Sequence, residues 1–294
     1  MRFIRYYKYY ACRSLAKLNL LPHLSFNLSQ KFGAQKFRVP VIDGIGYHNL
    51  IPVREEWMDT IIQKLFSIRN GCVIDVGVNL GQTLLKIASF NTNINYYGFE
   101  PNPVCYAYCK SLIRANHLNT FRIFPVGLSS TSQIVKLFGD NDHASGASMI
   151  ENFRTNKERY KEIHAVPVMP ADNILCKENI VSVNFIKVDV EGAELDVMLG
   201  FKETLKQFHP IIIIEILPVY TLENENGKMR KERQDKLLQL MFSLGYKLLL
   251  IHEKETKLEL IEDISAHGDM SRTNYLFIPS TEVKNFDDLL ISRS

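Results

Sequence analysis

No apolar run in the 294-residue chain approaches the roughly 18 residues that a membrane-spanning helix needs. The four isoleucines Ile211 to Ile214 are stopped by Glu215. Cysteine is scarce. Cys12, Cys72, Cys105, Cys109 and Cys176 make an odd number, without the spacing of a disulfide framework. That usage fits a reducing, cytoplasmic compartment. Cys105 and Cys109 stand four apart on an expected helix, but no second Cys pair or clustered His pair completes a zinc set. No metal is expected there, and the two read as small buried apolar residues. Net charge is only +3, from 35 basic and 32 acidic residues, so a globally basic nucleic-acid binder is excluded. With 46% hydrophobic and 23% charged residues, the chain is neither disordered nor fibrous. It has no internal repeat and no low-complexity tract.

The first 40 residues contain no Asp or Glu and eight Lys or Arg, a charge of +8. The rest, with 27 basic and 32 acidic residues, carries −5. This asymmetry separates a basic N-terminal helix and linker over residues 1–45 from a domain over 46–294. On a helix, Ile4, Tyr7, Ala11, Leu15 and Leu18 fall on one side, and Arg2, Arg5, Lys8, Arg13 and Lys17 on the other half. Three readings stay open: a helix packed on the domain, a basic amphipathic helix lying through residues 2–20 on an anionic membrane surface, or an Arg-rich import presequence. Lys17 ends the apolar stretch too soon for a secretory signal. Pro22 and the mixed polar stretch after it read as a linker.

From Glu55 onward, short apolar runs alternate with helical periods. Strands are expected at Cys72–Asp75, Asn95–Phe99, Phe121–Val126, Gln133–Phe138, Val181–Asp189, Pro210–Ile216, Tyr246–Ile251 and Tyr275–Ile278. Helices are expected at Trp57–Ile68, Gln82–Phe90, Pro103–Asn116, Glu151–Lys161, Leu195–Phe208 with a break at Gly200, and Met229–Leu244. The alternation predicts an α/β domain with a mostly parallel sheet. Ligands of such sheets sit outside the carboxyl ends of the strands, so function is sought just after each strand.

The first end reads Asp75-Val-Gly77-Val-Asn79-Leu-Gly81. Glycines between strand and helix let a ligand approach the backbone closely. A dinucleotide wants G-x-G-x-x-G, and the middle glycine is missing here. Asp75 also disfavours a pyrophosphate, whereas the sulfonium and ammonium of S-adenosylmethionine would welcome it. Glu100, 25 positions later at the second strand end, suits a ribose diol. The fourth end reads Lys187-Val-Asp189-Val-Glu191-Gly192. Lys187 and Asp189 share one strand face, where ions are costly unless paired or used. Glu215 ends the fifth strand in the same way.

VIDVGVNLG, GFEPNP, VGLSS, ASGASM, IKVDVEGAE, IIIIEI and NYLFIP, in that order from about Gly71 to Pro279, resemble the FkbM family of S-adenosylmethionine-dependent methyltransferases. The resemblance implies a class I, Rossmann-like sheet of seven mostly parallel strands, order 3-2-1-4-5-7-6, with strand 7 antiparallel and helices on both faces. It implies O-methylation of a hydroxyl on a sugar, in a glycan or a glycosylated or polyketide-type metabolite. By it, Asp75, Gly77, Asn79 and Gly81 wrap the methionine part, Glu100 takes the ribose hydroxyls, Asn102 lies close to the adenosine, and Asp189 and Glu191 line the methyl-transfer side. Val78 departs from the family's small Ala, and Pro170-Ala171-Asp172 from its Leu-Asp pair.

A sugar hydroxyl is a poor nucleophile, so a base is sought. Asp189, Glu191, Glu215 and His143 are the candidates, with Lys187 as their partner. A divalent ion bridging Asp189 and Glu215 lacks a compact ligand cluster and is not adopted. Arg122, Arg154, Lys157, Arg159 and Lys161 either border an acidic glycan or form a solvated face. Two other functions stand against the methyltransferase: an NAD-dependent dehydrogenase, and a non-catalytic domain of the same fold that binds a glycan or a partner.

Overall fold

β-Branched runs a few residues long cannot close a helix's apolar face, and here they alternate with periods that can. The computed structural model describes residues 6–51, 55–141, 146–151 and 160–291. Helix α1 (Tyr7–Lys17) leads into a hairpin of β1 (Ser25–Phe32) and β2 (Gln35–Ile42). Then follow α2 (Glu56–Ile68), β3 (Cys72–Val76), α3 (Gln82–Phe90), β4 (Tyr96–Phe99), α4 (Pro103–Ala115) and β5 (Phe121–Phe124). Three strands make a separate small sheet: β6 (Gly127–Leu128), β7 (Gln133–Gly139) and β8 (Lys161–Met169). After α5 (Asp172–Leu175) come β9 (Val183–Val188), α6 (Glu194–Leu199), α7 (Lys202–Phe208) and β10 (Ile211–Glu215). The chain closes with α8 (Glu225–Ser243), β11 (Tyr246–His252), β12 (Lys257–Ile261) and β13 (Asn274–Pro279).

The main sheet has eight strands in the order β12-β11-β13-β10-β9-β3-β4-β5. Strands β5, β4, β3, β9 and β10 are parallel, and β13 runs antiparallel to β10. This is the expected 3-2-1-4-5-7-6 order with one strand more. The extra strand, β12, folds back antiparallel on β11 at the sheet edge. Two cores cover the two faces. One packs Val73, Tyr96, Phe185 and Ile211 under α2 and α3, and the other packs Ile74, Phe99, Ile186 and Ile212 under α6 to α8. Among the described residues, no helix is long and apolar enough to cross a membrane.

Local structure departs from expectation in three places. The stretch read as linker is the β1–β2 hairpin. Phe37, Val39 and Val41 alternate inward into the first core, and Lys36 and Arg38 outward. Gln133–Phe138 is a strand, but of the small sheet. The expected helix over Glu151–Lys161 falls largely on residues 152–159, outside the described residues; Lys161 opens β8, whose Val166 and Val168 alternate inward. Helix α1 docks through Tyr9, Cys12, Leu15 and Ala16, with Tyr9 stacked 5.6 Å from Tyr47. Of the expected apolar stripe, Ile4 lies outside the described residues, Leu15 packs inward, and Tyr7 (63%), Ala11 and Leu18 (68%) are exposed.

Because the hairpin shares the core of the sheet, Phe37→Ala should lower the unfolding free energy by about 3 kcal/mol or more. Urea denaturation followed by fluorescence and circular dichroism should show one transition, moved to lower urea. Two separated transitions, or an unmoved midpoint, would contradict this packing.

Candidate active site

Parallel strands bring their carboxyl ends to one edge of the sheet, and the loops after β3, β4 and β9 meet there. Gly77 (φ +84°) is required at the first of them, since a Cβ would lie 1.9 Å from the Asp189 carbonyl oxygen. The loop then turns through Asn79 (φ +51°) and Gly81 (φ +77°) into α3. It is held from behind, where the Cys109 thiol donates to the Asn79 carbonyl at 3.0 Å. After β4, Pro103 opens α4 and Asn102 caps it, its Oδ1 accepting from Val104 N–H at 2.9 Å.

These loops border a cavity open to solvent, with about 620 Å³ of space including its mouth. Its walls are Val76, Phe99, Pro101, Leu128, Leu137 and Met149. The Ser148 hydroxyl donates to the Glu191 carbonyl at 2.7 Å, which draws Ala147 and Met149 across the opening. At the floor, Glu100 is 6% exposed. Its Oε2 accepts from Asn79 N–H at 2.6 Å, and its Oε1 from Asn102 N–H at 2.8 Å. Burial outweighs these two bonds and pushes its pKa up to about 7.

Gly77, Asn79, Glu100, Asn102, Asp189 and Glu191 all line the cavity; Asp75, Gly81 and Lys187 do not. Val76 faces the cavity, so strand alternation turns Asp75 to the opposite face. There it is fully buried and accepts from the Tyr96 hydroxyl at 2.6 Å, and its Oδ1 has no hydrogen-bond partner. Burial raises its pKa against the pull of Lys187. Gly81 instead starts α3 against Leu112. His143 lies outside the described residues, as do Arg154, Lys157 and Arg159.

The register that pairs Asp75 with Lys187, and Lys187 with Ile213, gathers a charged group at the strand ends. Lys187 Nζ lies 2.9 Å from Asp189 Oδ2. Burial alone would lower the lysine's pKa, yet Asp189 and Asp75 hold it above its ordinary value. Burial would likewise raise Asp189, but the ammonium pulls it below the usual carboxylate range. Glu215 shares a hydrogen bond with Asp189, and burial beside that negative charge pushes it up to about 8. The pair therefore holds one proton at neutral pH. Of the apolar walls contributed by the small sheet, Leu128 falls within the VGLSS stretch and Leu137 within the expected strand Gln133–Phe138, but nothing in the sequence turned them towards the cavity. Ala147 and Met149 fall within the ASGASM stretch.

Among the described residues the cavity lining carries three carboxylates, Glu100, Asp189 and Glu191, and no Lys or Arg. A pyrophosphate would be repelled, and a cationic nucleoside is favoured. A diol acceptor beneath apolar walls fits the adenosine of S-adenosylmethionine, and the ionised far side fits its sulfonium and ammonium.

Strand order and strand-end loops define a class I methyltransferase domain. Residues 75–248, more than half of the chain, match the methyltransferase FkbM domain, and the chain belongs to that family. Over 155 residues it is 26% identical to the 2-O-methyltransferase NoeI of Sinorhizobium fredii, which covers 49% of this chain and 63% of that protein. The chain thus spans less than two thirds of that relative's length. The solved FkbM methyltransferase of Methylobacillus flagellatus KT is 14% identical with a TM-score of 0.44, over 71% of this chain and 43% of that one. A putative caffeoyl-CoA O-methyltransferase of Staphylococcus aureus is 12% identical with a TM-score of 0.45, over 92% and 91%.

The shared proton is directly measurable. With carbon-13 in the glutamate carboxyls, Glu215 should titrate with a midpoint near 8. Asp189→Asn should move that midpoint down, because the neighbouring negative charge is gone. A native midpoint between 4 and 5, the ordinary range of about 4.3, would show that the two carboxyls do not share a proton.

Proposed function

We propose that this chain is an S-adenosylmethionine-dependent O-methyltransferase acting on a hydroxyl of a sugar, in a glycan or a glycosylated metabolite. The observation that carries the reading is the cavity whose only charged lining residues, among those described, are carboxylates, with Glu100 braced on two backbone N–H groups. When bound, S-adenosylmethionine supplies a methyl group on a positively charged sulfur. The chain's own part is placement. Glu100 accepts from the ribose hydroxyls, the loop from Gly77 to Gly81 lies along the methionine part, and Asn102 borders the adenosine. Asp189 and Glu191 flank the transfer side.

Lys187 keeps Asp189 ionised, so this carboxylate orients the acceptor hydroxyl and accepts its hydrogen bond. Glu215 gives up its proton above about pH 8 and then offers a second base to the same hydroxyl. Oxygen as the acceptor atom is supported by the name of the Sinorhizobium relative, a 2-O-methyltransferase.

The reading extends to where the enzyme works: a reducing, cytoplasmic compartment, at an anionic lipid surface. Tyr7, Leu18, Leu20 and Leu24 are all exposed, next to exposed Arg13 and Lys17, in a segment without acid. A basic face with apolar side chains pointing away from the core fits such a surface, at about 1 kcal/mol per Lys or Arg.

Calorimetric titration tests the cofactor. S-adenosylmethionine should bind the native chain more tightly at pH 8 than at pH 6. The gain should reach about tenfold, because a group with a pKa near 7 goes from about one tenth to about nine tenths ionised. Glu100→Gln should bind more weakly and lose the pH dependence. A folded native chain that binds none would end the proposal. For the surface, co-sedimentation with phosphatidylcholine vesicles should need added phosphatidylglycerol, and Leu18→Glu with Leu24→Glu should cut the bound fraction several-fold. Equal sedimentation with neutral vesicles, or none with anionic ones, would refute it.

A further inference from the structure

Two stretches of the chain hold no acid. Residues 101–139, like the first 40, contain no Asp or Glu, and they carry Lys110, Arg114, Arg122 and Lys136. Together the two stretches have a charge of +12, whereas the remaining 215 residues, with 23 basic and 32 acidic, carry −9. They are far apart in sequence and adjacent in the fold. Lys8 on α1 donates to the Ser29 carbonyl of β1. Ser29 is the register partner of Arg38 on β2. The Arg38 N–H donates to Asn116 Oδ1 at 2.7 Å, and Asn116 Nδ2 returns a bond to the Arg38 carbonyl at 2.8 Å, at the C-terminal end of α4. Helix α1, the hairpin and α4 therefore present one basic surface, which runs out to β5, the edge strand of the main sheet.

Its charges are not consumed within the fold. Lys31, Lys36, Arg38, Lys110, Arg114 and Arg122 are all exposed. Among the described residues only Arg122 of these six has a carboxylate partner, Glu178. Lys31 and Lys36 stand directly opposite each other across the hairpin, a like-charge pair that weakens a sheet and that a bound anion would relieve. Between α4 and β5 the surface deepens into an open groove, with about 940 Å³ of space including its mouth. Lys110, Arg114, His117 and Arg122 line it, and among the described residues no Asp or Glu does. Such a groove attracts an anion and offers several N–H donors to its oxygens.

Two features decide what carries that anion. A single-stranded nucleic acid would stack its bases on exposed aromatic faces. In the groove Phe121 is buried, and the Phe124 ring is stacked on Phe99 at 5.1 Å on one side and covered by the Arg122 guanidinium on the other. Beside the surface, α1 and the segment after it expose Tyr7, Leu18, Leu20 and Leu24, which a bilayer accommodates and a phosphate backbone does not.

We infer that the α4–β5 groove and the outer face of the hairpin bind the phosphate headgroups of an anionic lipid surface, so that the contact made by α1 continues to the β5 edge of the sheet. The inference rests on the lipid-surface reading above and extends it from the N-terminal helix to the methyltransferase domain itself.

The test is co-sedimentation of the full chain with vesicles of phosphatidylcholine and phosphatidylglycerol. Lys110→Gln with Arg114→Gln should lower the partition onto these vesicles by about thirtyfold, equivalent to about 2 kcal/mol. Lys31→Gln with Lys36→Gln, a second and independent pair, should do the same. All four positions are exposed, and a folding defect in one variant leaves the other as the test. Native partition in both variants, or loss of binding to a single-stranded oligonucleotide rather than to the vesicles, would overturn the inference. If Leu18→Glu with Leu24→Glu still releases the chain in that event, the contact through the N-terminal helix stands and the groove and hairpin assignment alone falls. A native chain that binds no anionic vesicles would remove both.

Discussion

A single buried ammonium organises the active edge of this protein. Lys187 sits in the middle of a parallel sheet, where an unpaired cation would cost several kcal/mol. It is tolerated because carboxylates converge on it from its own strand and the two beside it: Asp75 on β3, Asp189 just past β9, and Glu215 at the end of β10. Parallel pairing does this without any loop having to be shaped for the purpose. Asp75 is the register partner of Lys187, and Glu215 lies two residues beyond its other partner, Ile213, on the same face. The constraint also works in reverse. A shift of one residue between β3 and β9 would send Lys187 to the opposite, wholly apolar core.

Three carboxylates around one ammonium leave an excess of negative charge, and the structure disposes of it in two ways. A proton shared between Asp189 and Glu215 removes one charge. The rest is directed towards the cavity, where Asp189 meets Glu191 and Glu100 in the lining. A site prepared in this manner selects its ligand by sign before any shape is considered. It argues against the phosphates of a dinucleotide, which the same fold class elsewhere binds on a glycine-rich loop. It also explains the loop's economy. The glycine at position 77 is needed for the passage of Asp189's backbone, and a nearby phosphate would gain nothing from it.

Much of this was readable in the sequence, for a physical reason. Charged residues that end apolar runs are visible without a structure, and Asp75, Glu100, Lys187, Asp189 and Glu215 all do so. The helix break at Gly200 and the start at Pro103 were legible from backbone chemistry alone. What stayed hidden depends on which face a residue takes and on partners far along the chain. Asp75 looked like part of the cofactor loop, yet it is one residue off the face that lines the cavity. The hairpin over residues 25–42 has a clean period-two pattern only on its second strand; on the first, Leu28, Ser29 and Gln30 are all half-buried, and the mixed polar run reads as loop. Strand β12 exists because β11 offers it an edge, and five residues of mixed character carry no such information.

The N-terminal segment shows how a correct composition argument can still leave the geometry open. Its excess of basic residues was plain, and so was its amphipathic period. Which side would face inward was not, because two apolar faces compete on one short helix. Packing chose Tyr9, Cys12, Leu15 and Ala16, with the Tyr9 ring lying against Tyr47 and His48. That choice leaves Tyr7 and Leu18 outside, where water alone gives them no reason to be. The segment then does two separate things. Its helix turns apolar groups outward beside a basic surface, while its hairpin completes the first core.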